Sequence, residues 1–330
     1  MILITGASGF LGGRLAQVLA EKGEAVRIIN RQPGLPAHLA ALPIEVTRAS
    51  LDDLPALVTA MKDIKVVFHC AACSSDWAPW SVFYAANVSG VANILRAAAS
   101  ASSLSRFVHV STADVYGYPV VPCDEDGPLV DSGLPYNRSK ILGEREVWRA
   151  SGEGLPVTVL RPTTIYGPRS KDFAVEIDKL LRQRIMMHAD HGRSTGGFIY
   201  VDDVVDAMIG ASTNATTVGR AYNIAPEIDS TWQEFVEAMS VALGHKPPWL
   251  NFSRRTANAV GLVSEVIYRT ARIWFRPPLT RHAVNVLSRN QSFPIGRAKR
   301  DFGFAPKVGL SVGVQRTVEW LKGRAIGPTK

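Results

Sequence analysis

The chain begins Met1-Ile-Leu-Ile-Thr-Gly-Ala-Ser-Gly-Phe-Leu-Gly-Gly13, and this stretch decides the fold. Residues 2–4 form an apolar run without polar alternation, which is typical of a parallel strand buried on both faces. Glycines follow at positions 6, 9 and 12, and the residues after them have the periodicity of a helix that ends at Gly23. Glycine triplets also occur in ordinary turns. Between a strand and a helix they predict a dinucleotide-phosphate site, because backbone N–H groups and the helix N-terminus attract the pyrophosphate.

The alternation of strands and helices continues along the N-terminal half. The elements that we predict are a strand at 25–30, a helix at 51–61, a strand at 64–70, a helix at 87–100 and a strand at 106–112. Such an alternation predicts an α/β fold with a doubly wound parallel sheet, whose ligand lies at the carboxyl ends of the strands. We expect a smaller C-terminal substrate lobe beside it.

Composition limits the class of protein. Of 330 residues, 46% are hydrophobic and 20% charged, which excludes a disordered chain. No apolar run reaches the roughly 18 residues of a membrane span. Because the chain opens directly on a core strand, it leaves no room for a signal peptide, and we expect a cytoplasmic location. Cys70, Cys73 and Cys123 fit a reducing compartment, and we interpret the Cys70-x-x-Cys73 pair as small buried residues, not as a metal or redox site.

The end of the second predicted strand bears on the choice of cofactor. An acidic residue there would bind the ribose 2′-hydroxyl and favour NAD, whereas a neutral residue followed by arginine suits the 2′-phosphate of NADP. The chain has Asn30 and Arg31 at this place. We therefore favour NADP over NAD, with a solvated strand-end arginine as the alternative interpretation.

Catalytic chemistry is predicted between residues 111 and 140. Ser111 and Thr112 end a strand, and Tyr136 and Lys140 are four residues apart, so that on a helix they share a face about 6 Å apart. A nearby ammonium lowers the pKa of a phenol, which would make Tyr136 a proton donor or acceptor near neutral pH. A hydroxyl from Thr112 would hold the substrate oxygen. A surface Tyr–Lys pair is the alternative, and the dinucleotide site in the same sheet disfavours it.

These motifs together resemble the extended short-chain dehydrogenase/reductases, the NAD-dependent epimerase/dehydratase superfamily, which have a Rossmann-type sheet. The stretches that match, in the family's order, are Thr5-Gly-Ala-Ser-Gly-Phe-Leu-Gly12, His69-Cys-Ala-Ala72, Asn87-Val-Ser-Gly-Val-Ala-Asn93, Val110-Ser-Thr-Ala-Asp-Val-Tyr-Gly117, Tyr136-x-x-x-Lys140, Leu160-Arg-Pro-Thr-Thr-Ile-Tyr-Gly-Pro168 and Phe198-Ile-Tyr-Val-Asp-Asp203.

The resemblance implies roles for individual residues. Tyr136 would be the catalytic acid/base, Lys140 would bind the nicotinamide ribose and lower the tyrosine pKa, and Thr112 would be the family's hydroxyl, with Ser111 the weaker candidate. Asn87 would be structural or part of a water relay. The cofactor contacts implied or predicted are Gly6, Ser8, Gly9, Phe10, Leu11, Asn30, Arg31, Ser50, Leu51, Ala71, Ala72, Tyr136, Lys140 and Pro162. The substrate contacts implied are Ser74, Asp114, Ile165 and Tyr166, and no metal is expected. Ser50 stands where the family has an adenine-binding aspartate, so that contact would differ.

The substrate class depends on two further features. Nucleotide-sugar members of the superfamily usually carry an arginine two residues before Phe198, where this chain has Gly196 followed by Gly197. Glycine cannot supply a fixed charge for a diphosphate. The segment 247–287 is long, apolar and basic, and it resembles the 3β-hydroxysteroid dehydrogenase branch, which includes reductases of 2-alkyl-3-oxoalkanoates.

The apolar and basic segment has two interpretations. It is either an extra helix packed on the substrate lobe or a hydrophobic cover that contacts a membrane surface through residues 255–280, with arginines pointing outward. The net charge of +8 also raises nucleic acid as a partner, but no nucleic-acid-binding module is recognisable. The superfamily implies a homodimer through the helices of Asn87 and Tyr136.

We therefore expect residues 1–168 to form the dinucleotide-binding domain, with return segments near 198–225, and residues 169–330 to form mainly the substrate lobe. The predicted activity is NADP(H)-dependent interconversion of a ketone and a secondary alcohol on a hydrophobic, steroid-like or β-keto acid substrate. The enzyme alternative is a nucleotide-sugar epimerase or dehydratase with the same Thr112, Tyr136 and Lys140. A cofactor-sensing scaffold would not need these three residues.

Overall fold

A computed structural model describes residues 1–32, 34–273 and 275–325. Its strands are β1 Ile2–Thr5, β2 Val26–Asn30, β3 Ile44–Arg48, β4 Val66–His69, β5 Arg106–Val110, β6 Val157–Pro162, β7 Thr164–Tyr166, β8 Met187–Ala189, β9 Phe198–Tyr200, β10 Arg220–Ile224 and β11 Leu250–Phe252. Its α-helices are α1 Phe10–Glu21, α2 Leu54–Ala60, α3 Trp80–Tyr84, α4 Gly90–Ala99, α5 Pro135–Gly152, α6 Glu176–Arg182, α7 Val201–Thr213, α8 Trp232–Leu243, α9 Arg254–Thr270, α10 Arg281–Ser288, α11 Gly296–Phe302 and α12 Leu310–Ala325.

The central sheet confirms the predicted fold. It has seven parallel strands in the order β10-β6-β5-β4-β1-β2-β3. The chain moves outward from β1 in one direction through β2 and β3, and in the other through β4, β5 and β6. The order reverses between β1 and β4, and in such sheets the ligand crevice lies at the carboxyl ends of the strands at this point.

Helices cover both faces of the sheet, which explains the apolar runs in its strands. One face packs against α1 and α7 through fully buried Ile4, Val108 and Leu160. The other face packs against α2, α4 and α5 through Leu3 and Phe107. Because both faces are dry, the polar residues that follow the strands are concentrated at the carboxyl edge.

The C-terminal lobe has a core of its own. The short parallel sheet β7–β9 packs with α6, α8 and α12 around an aromatic cluster, and β8 and β11 form a second short parallel sheet. In this cluster the rings of Phe198 and Phe235 stack with centroids 4.1 Å apart. Residues of α11 pack into the main core instead. The division at residue 168 stays a prediction, although β10, in the central sheet, lies within the predicted return segment.

Local structure departs from the sequence prediction at two places. The predicted helix at 87–100 is preceded by a π-turn at Ala85–Ser89, and α4 starts at Gly90. The segment 247–287 contains β11, α9 and α10, while Trp274 of this segment lies outside the described residues. Within the described ranges, no helix combines the length and apolarity that crossing a membrane requires.

Candidate active site

The glycine turn between β1 and α1 is shaped by close backbone approach. Gly6 has φ +72°, and a Cβ there would lie 2.7 Å from the backbone N of Ala71 at the end of β4. A Cβ at Gly12 would lie 2.6 Å from the Gly6 carbonyl oxygen. The first turn of α1 has no side-chain cap at Gly9, which is exposed together with Ser8. Its free N–H groups therefore face a space that suits a dinucleotide pyrophosphate.

Other predicted cofactor residues surround this turn. Phe10 and Leu11 are half-buried against the core of the lobe. Ala71 is half-buried and Ala72 is exposed after β4, and Pro162 ends β6. These residues border the crevice, so their positions are compatible with the predicted cofactor contacts.

The ends of β2 and β3 form the side of the site predicted for adenosine. Asn30 donates a hydrogen bond to the Gly34 carbonyl over 2.9 Å, and Arg31 beside it is exposed. Asn30 is in register with Arg48 of β3, which is also exposed. Neither Arg31 nor Arg48 forms a salt bridge with any described residue. This edge therefore presents two unpaired cations.

Ser50 and Leu51 follow β3 on the same side. The Ser50 hydroxyl donates to the side chain of Asp52. The Leu51 carbonyl accepts a 2.9 Å hydrogen bond from Asn93 of α4. These contacts fix the segment at the sheet edge.

The predicted catalytic residues converge at the carboxyl end of β5. Tyr136 and Lys140 lie one turn apart on α5, which starts with Pro135, a residue whose fixed φ suits a first helical position. The Thr112 hydroxyl lies close enough to the Tyr136 side chain to lower its pKa. The Lys140 amino group donates to the Val110 carbonyl over 2.8 Å. The structure thus brings a hydroxyl, a phenol and an amine to one place.

The pKa values of this pair differ from the sequence expectation. Burial and the charge of Asp114 raise the pKa of Tyr136, and the hydrogen bond from Thr112 opposes this rise. Burial lowers the pKa of Lys140 to about 8, against the opposing charges of Glu144 and Cys70. In the protein by itself Lys140 does not keep the tyrosine pKa low, because burial dominates. Tyr136 therefore holds its proton firmly at neutral pH.

Ser111 belongs to a buried polar network and not to the open site. Its hydroxyl donates to Glu144 Oε2 over 2.7 Å. Glu144 is fully buried and forms an ion pair with buried Arg161, which donates to the Tyr116 hydroxyl over 2.7 Å. Tyr116 and Arg161, which belong to stretches that resemble the superfamily, thus connect β6 to α5 through this network. The hydroxyl that acts on Tyr136 is that of Thr112, not that of Ser111.

Asn87 has a structural role in this arrangement. Its side chain accepts from the Cys73 backbone N–H at 2.8 Å and donates to the Cys73 carbonyl at 3.0 Å and to the Ser139 hydroxyl at 2.9 Å. It joins the loop after β4 to α5. Cys73 and Cys70 are half-buried, contrary to the expectation that both are buried.

Two imidazoles lie near the Lys140 amine. The rings of His69 and His109 stack with centroids 5.5 Å apart and are buried. Burial and the charge of Lys140 lower both pKa values, that of His69 to about 3. Both rings are therefore neutral at neutral pH.

The predicted substrate residues are not equally accessible. Ser74 is exposed and Ile165 is half-buried, while Asp114 lies close enough to Tyr136 for its charge to raise the pKa of that phenol. Tyr166 is 1% exposed and packs edge-on against Tyr200 and Phe235 in the lobe core. The expectation that Tyr166 contacts substrate is therefore wrong, because its ring is enclosed on all sides by the aromatic cluster.

The C-terminal lobe supplies residues that the sequence did not reveal. The ring of His282, on α10, lies edge-on to Tyr136 with centroids 5.6 Å apart, and its Nδ1 is 3.3 Å from the Tyr118 hydroxyl. Their separation along the chain leaves no local pattern that predicts this contact. The start of α10 itself has a sequence signal, because Thr280 precedes the helix as an N-cap.

An ion pair joins the C-terminal lobe to the loop that follows β4. Arg276 donates to both oxygens of Asp76, at 2.7 and 2.8 Å. The Thr280 hydroxyl donates to the same carboxylate at 2.7 Å. Next to it, the Trp77 ring meets Tyr268 of α9 edge-on. Among the described residues, no cluster of His, Cys, Asp and Glu could hold a metal ion.

Comparisons with known proteins agree with this geometry. Residues 2–225 match the model of the NAD-dependent epimerase/dehydratase family. The chain is 29% identical over 324 residues to a 2-alkyl-3-oxoalkanoate reductase of Stenotrophomonas maltophilia, covering 96% of this chain and 97% of that protein. It is 28% identical over 327 residues to a 3β-hydroxysteroid dehydrogenase/Δ5→4-isomerase of Mycobacterium tuberculosis, covering 92% and 86%.

A solved structure supports the fold. The UDP-glucose 4-epimerase of Thermotoga maritima, solved with UDP-glucose, superimposes with a TM-score of 0.80 at 22% identity, covering 98% of this chain and 99% of that one. The family model spans the whole sheet, including the glycine turn and the Thr112, Tyr136 and Lys140 set. The chain therefore belongs to the NAD-dependent epimerase/dehydratase family of enzymes.

Proposed function

We propose that this protein is an NADP(H)-dependent reductase that interconverts a ketone and a secondary alcohol on a hydrophobic substrate. The observation that carries the proposal is the convergence of Thr112, Tyr136 and Lys140 beside the glycine turn. The names of the two relatives, an oxoalkanoate reductase and a hydroxysteroid dehydrogenase, support this reaction class.

The chain's own residues divide the work of the reaction. When bound, the nicotinamide supplies or accepts the hydride. The glycine turn and the first turn of α1 hold the pyrophosphate, and Lys140, fixed by the Val110 carbonyl, holds the ribose. Thr112 and Tyr136 hold the substrate oxygen. In reduction the proton moves from the Tyr136 hydroxyl to that oxygen, and the raised pKa of Tyr136 keeps the proton in place until then.

Replacing Tyr136 by Phe tests the reaction. Loss of the proton donor should lower kcat by roughly 10²- to 10⁴-fold, while NADPH still binds, as measured by quenching of intrinsic tryptophan fluorescence. Turnover is followed by NADPH absorbance over a panel of ketones from steroids to β-keto acid esters. A Tyr136→Phe variant with native activity would overturn the assignment.

The unpaired cations at the ends of β2 and β3 support NADP as the cofactor. Arg31 and Arg48 are exposed there, and both suit a 2′-phosphate. Changing Arg31 to Ser should raise the KM for NADPH by roughly tenfold, which corresponds to one lost charge-assisted hydrogen bond, and leave the KM for NADH unchanged. Arg300→Ser, an exposed arginine on α11, is the matched control. Equal effects on both cofactors would contradict the proposal.

The position of Gly196 argues against a nucleotide-sugar substrate. A Cβ at this residue would overlap the ring of Phe198, which is stacked on Phe235 in the lobe core. At position 196 there is therefore no room for an arginine side chain that would bind a diphosphate. The competing activity, a nucleotide-sugar epimerase, would show turnover of a UDP-sugar with tightly retained cofactor and no net consumption of NADPH.

We also propose that α9 docks on an anionic lipid surface. Its buried face recurs every four residues, at Ala257, Gly261 and Glu265. The opposite face is apolar and exposed, and its members are Val260, Leu262, Val263, Val266 and Ile267. Exposed Arg255 and Arg272 flank this face at its two ends. Such a face suits a membrane with acidic headgroups, because the apolar side chains can insert at the interface while the arginines attract the headgroups.

Vesicle pelleting tests the docking surface. Native protein should pellet with phosphatidylglycerol vesicles, less with phosphatidylcholine, and the Val263→Glu/Val266→Glu double variant with neither. Val241→Glu, at an exposed valine of α8, is the control and should pellet like the native protein. If the double variant changes the oligomeric state instead of vesicle binding, the face pairs two copies of the chain and the lipid proposal fails.

A homodimer through α4 and α5 is a separate proposal, and it rests on the resemblance to the superfamily. The two helices lie side by side, and a groove of about 220 Å³ between them is lined by Leu95, Arg96, Arg149 and Glu153 among others. Light scattering should give twice the mass of one chain. A monomer at micromolar concentration would contradict it.

A further inference from the structure

A second pocket lies away from the candidate active site, between α1, the start of α7, the loop after β7 and α12. Its volume is about 380 Å³, which is within the range of about 300–1,000 Å³ that is common for small-molecule sites. None of its described lining residues belongs to the glycine turn or to the Thr112, Tyr136 and Lys140 set. The polar residues that line it are Arg14, Gln17, Arg169, Tyr200, Asp202 and Arg316.

The lining of this pocket carries three guanidiniums and one carboxylate. Arg14 donates to both oxygens of Asp202, at 2.6 and 3.2 Å, so these two charges neutralise each other. Neither Arg169 nor Arg316 forms an ion pair with a described residue. The charge of Glu21 also acts on Arg14 and Arg169, but Glu21 is exposed and lies outside the lining. The lining therefore has an excess of two positive charges.

Arg169 has hydrogen-bonding capacity left for a ligand. Its Nη2 donates to Gln17 Oε1 over 2.6 Å, its Nε is buried without a partner, and its Nη1 makes no hydrogen bond with a described residue. Arg169 has φ +72°, a conformation that glycine adopts without strain, yet the chain keeps a guanidinium at this position. Burial and the charge of Arg14 lower the pKa of Arg169, against the opposing charge of Asp202. Its surroundings are therefore short of negative charge.

Arg316 and the start of α7 add to the attraction for an anion. The Arg316 guanidinium lies 5.8 Å from the centroid of the Tyr200 ring, and Arg316 is exposed. Tyr200 is the N-cap of α7, and its side chain does not cap the helix. The first N–H groups of a helix have no partner within the helix and carry partial positive charge. Asp203 of this turn is buried and accepts hydrogen bonds from two backbone N–H groups of the segment before α12, so its carboxylate is already engaged.

We propose that this pocket binds the phosphate group of a small phosphate monoester, in addition to the dinucleotide. A phosphate monoester carries a charge of about −1.5 to −2 at pH 7, which matches the excess of two positive charges, whereas a carboxylate would neutralise only one. Guanidiniums bind phosphate oxygens through paired N–H donors. Because the lining includes α1 and α12, the bound ligand also joins the sheet domain to the C-terminal lobe. The inference does not depend on the proposed reductase activity.

Calorimetry with glycerol 3-phosphate tests the site, at an ionic strength kept constant with sodium chloride. Native protein should bind glycerol 3-phosphate and not glycerol. Arg169→Gln and Arg316→Gln should each weaken binding by about tenfold or more, the loss expected for a charge-assisted hydrogen bond. Arg316 is exposed, so its substitution leaves the fold intact. Arg184→Gln and Arg300→Gln, at exposed arginines outside the lining, are the controls and should bind like native protein.

Removing the carboxylate of the lining should have the opposite effect. Asp202→Asn frees the Arg14 guanidinium for the ligand, so binding of glycerol 3-phosphate should become tighter by about threefold, as for the charge of an exposed ion pair. A structural role of the arginines does not predict this gain. Tighter binding supports the anion site, and weaker binding contradicts it.

Phosphatidic acid vesicles carry the same phosphate group and distinguish a lipid headgroup from a free ligand. The Val263→Glu/Val266→Glu variant, whose α9 should not dock, is used for this comparison. Pelleting that Arg169→Gln removes from this variant would assign the site to a headgroup, and no pelleting would assign it to a soluble phosphate monoester.

Two results would overturn the inference. One is the absence of glycerol 3-phosphate binding by native protein, or equal binding by native protein and Arg169→Gln. The other is binding that saturating NADPH abolishes, because the ligand would then occupy the dinucleotide site. With the pocket as a separate site, NADPH should change the affinity for glycerol 3-phosphate by less than about threefold, which corresponds to a weak coupling between two sites.

Discussion

The two walls of the candidate site differ in how their buried polar groups are paired. On the sheet wall, formed by the carboxyl ends of β4–β6 and by α5, Asn87, Lys140 and Glu144 each have fixed protein partners. On the lobe wall, formed by α9, α10 and the segment after them, Arg289 and Gln291 keep unpaired donors. The paired groups fix the geometry of the sheet wall, whereas the unpaired donors of the lobe wall leave hydrogen-bonding capacity unused.

Among the described residues of the sheet wall, the His69–His109 stack departs from this pairing. His69 Nε2 and both nitrogens of His109 are buried without a partner. Their lowered pKa values keep them neutral, so the unsatisfied groups carry no charge. The unpaired donors of the lobe wall are the Nε of Arg289 and the Nε2 of Gln291.

Breaking the buried ion pair of the sheet wall should have the largest effect on the free energy of unfolding. Glu144→Ala leaves Arg161 buried without its counter-charge, which should lower the free energy of unfolding by about 3–5 kcal/mol. Urea unfolding followed by circular dichroism measures the change. Glu146→Ala removes an exposed pair on the same helix and should cost less than about 1 kcal/mol. Similar losses for the two variants would show that the sheet wall does not depend on this pair.

Removing the Lys140 amine should stabilise the same wall. Burial lowers the pKa of Lys140 to about 8 from 10.5, so between these values the folded chain binds fewer protons than the unfolded chain, and stability rises with pH. Lys140→Met should therefore be more stable than the native protein at pH 7 by on the order of 2 to 3 kcal/mol. That advantage should fade as the pH rises from 8 to 10.5.

Urea titrations from pH 7 to pH 10.5 measure this dependence. Lys62→Met, at an exposed lysine, is the control and should show no such trend. A Lys140→Met advantage that stays constant with pH would mean that the amine is not forced toward its neutral form by burial.

The sequence predicted the sheet wall far better than the lobe wall, and the reason is physical. Gly6, Tyr136 and Lys140 are revealed by short-range patterns, because a tight turn and a single helical turn impose fixed spacings. The contacts of His282 with Tyr136 and of Arg276 with Asp76 join residues far apart in the chain, and their geometry depends on how the lobe closes. Tyr166 was misassigned for the same reason, since the ring that covers it comes from α8.

The smallest effect, and the one that separates the walls best, is expected from Asp76→Asn. The substitution keeps the shape of the carboxylate but removes the charge that holds Arg276, so global stability should fall by only about 1 to 2 kcal/mol. The lobe should open locally, seen as faster tryptic cleavage at exposed Arg272 and a higher KM.

Burial alone would raise the pKa of Asp76, but the hydrogen bonds and charge of Arg276 lower it overall. The native contact is therefore complete at neutral pH and is lost as the pH falls below the ordinary carboxyl range. Cleavage of native protein by pepsin, which acts in acid, should accelerate there to the rate of Asp76→Asn. If acid leaves cleavage unchanged while Asp76→Asn accelerates it, the lobe wall is held by the geometry of this contact and not by its charge.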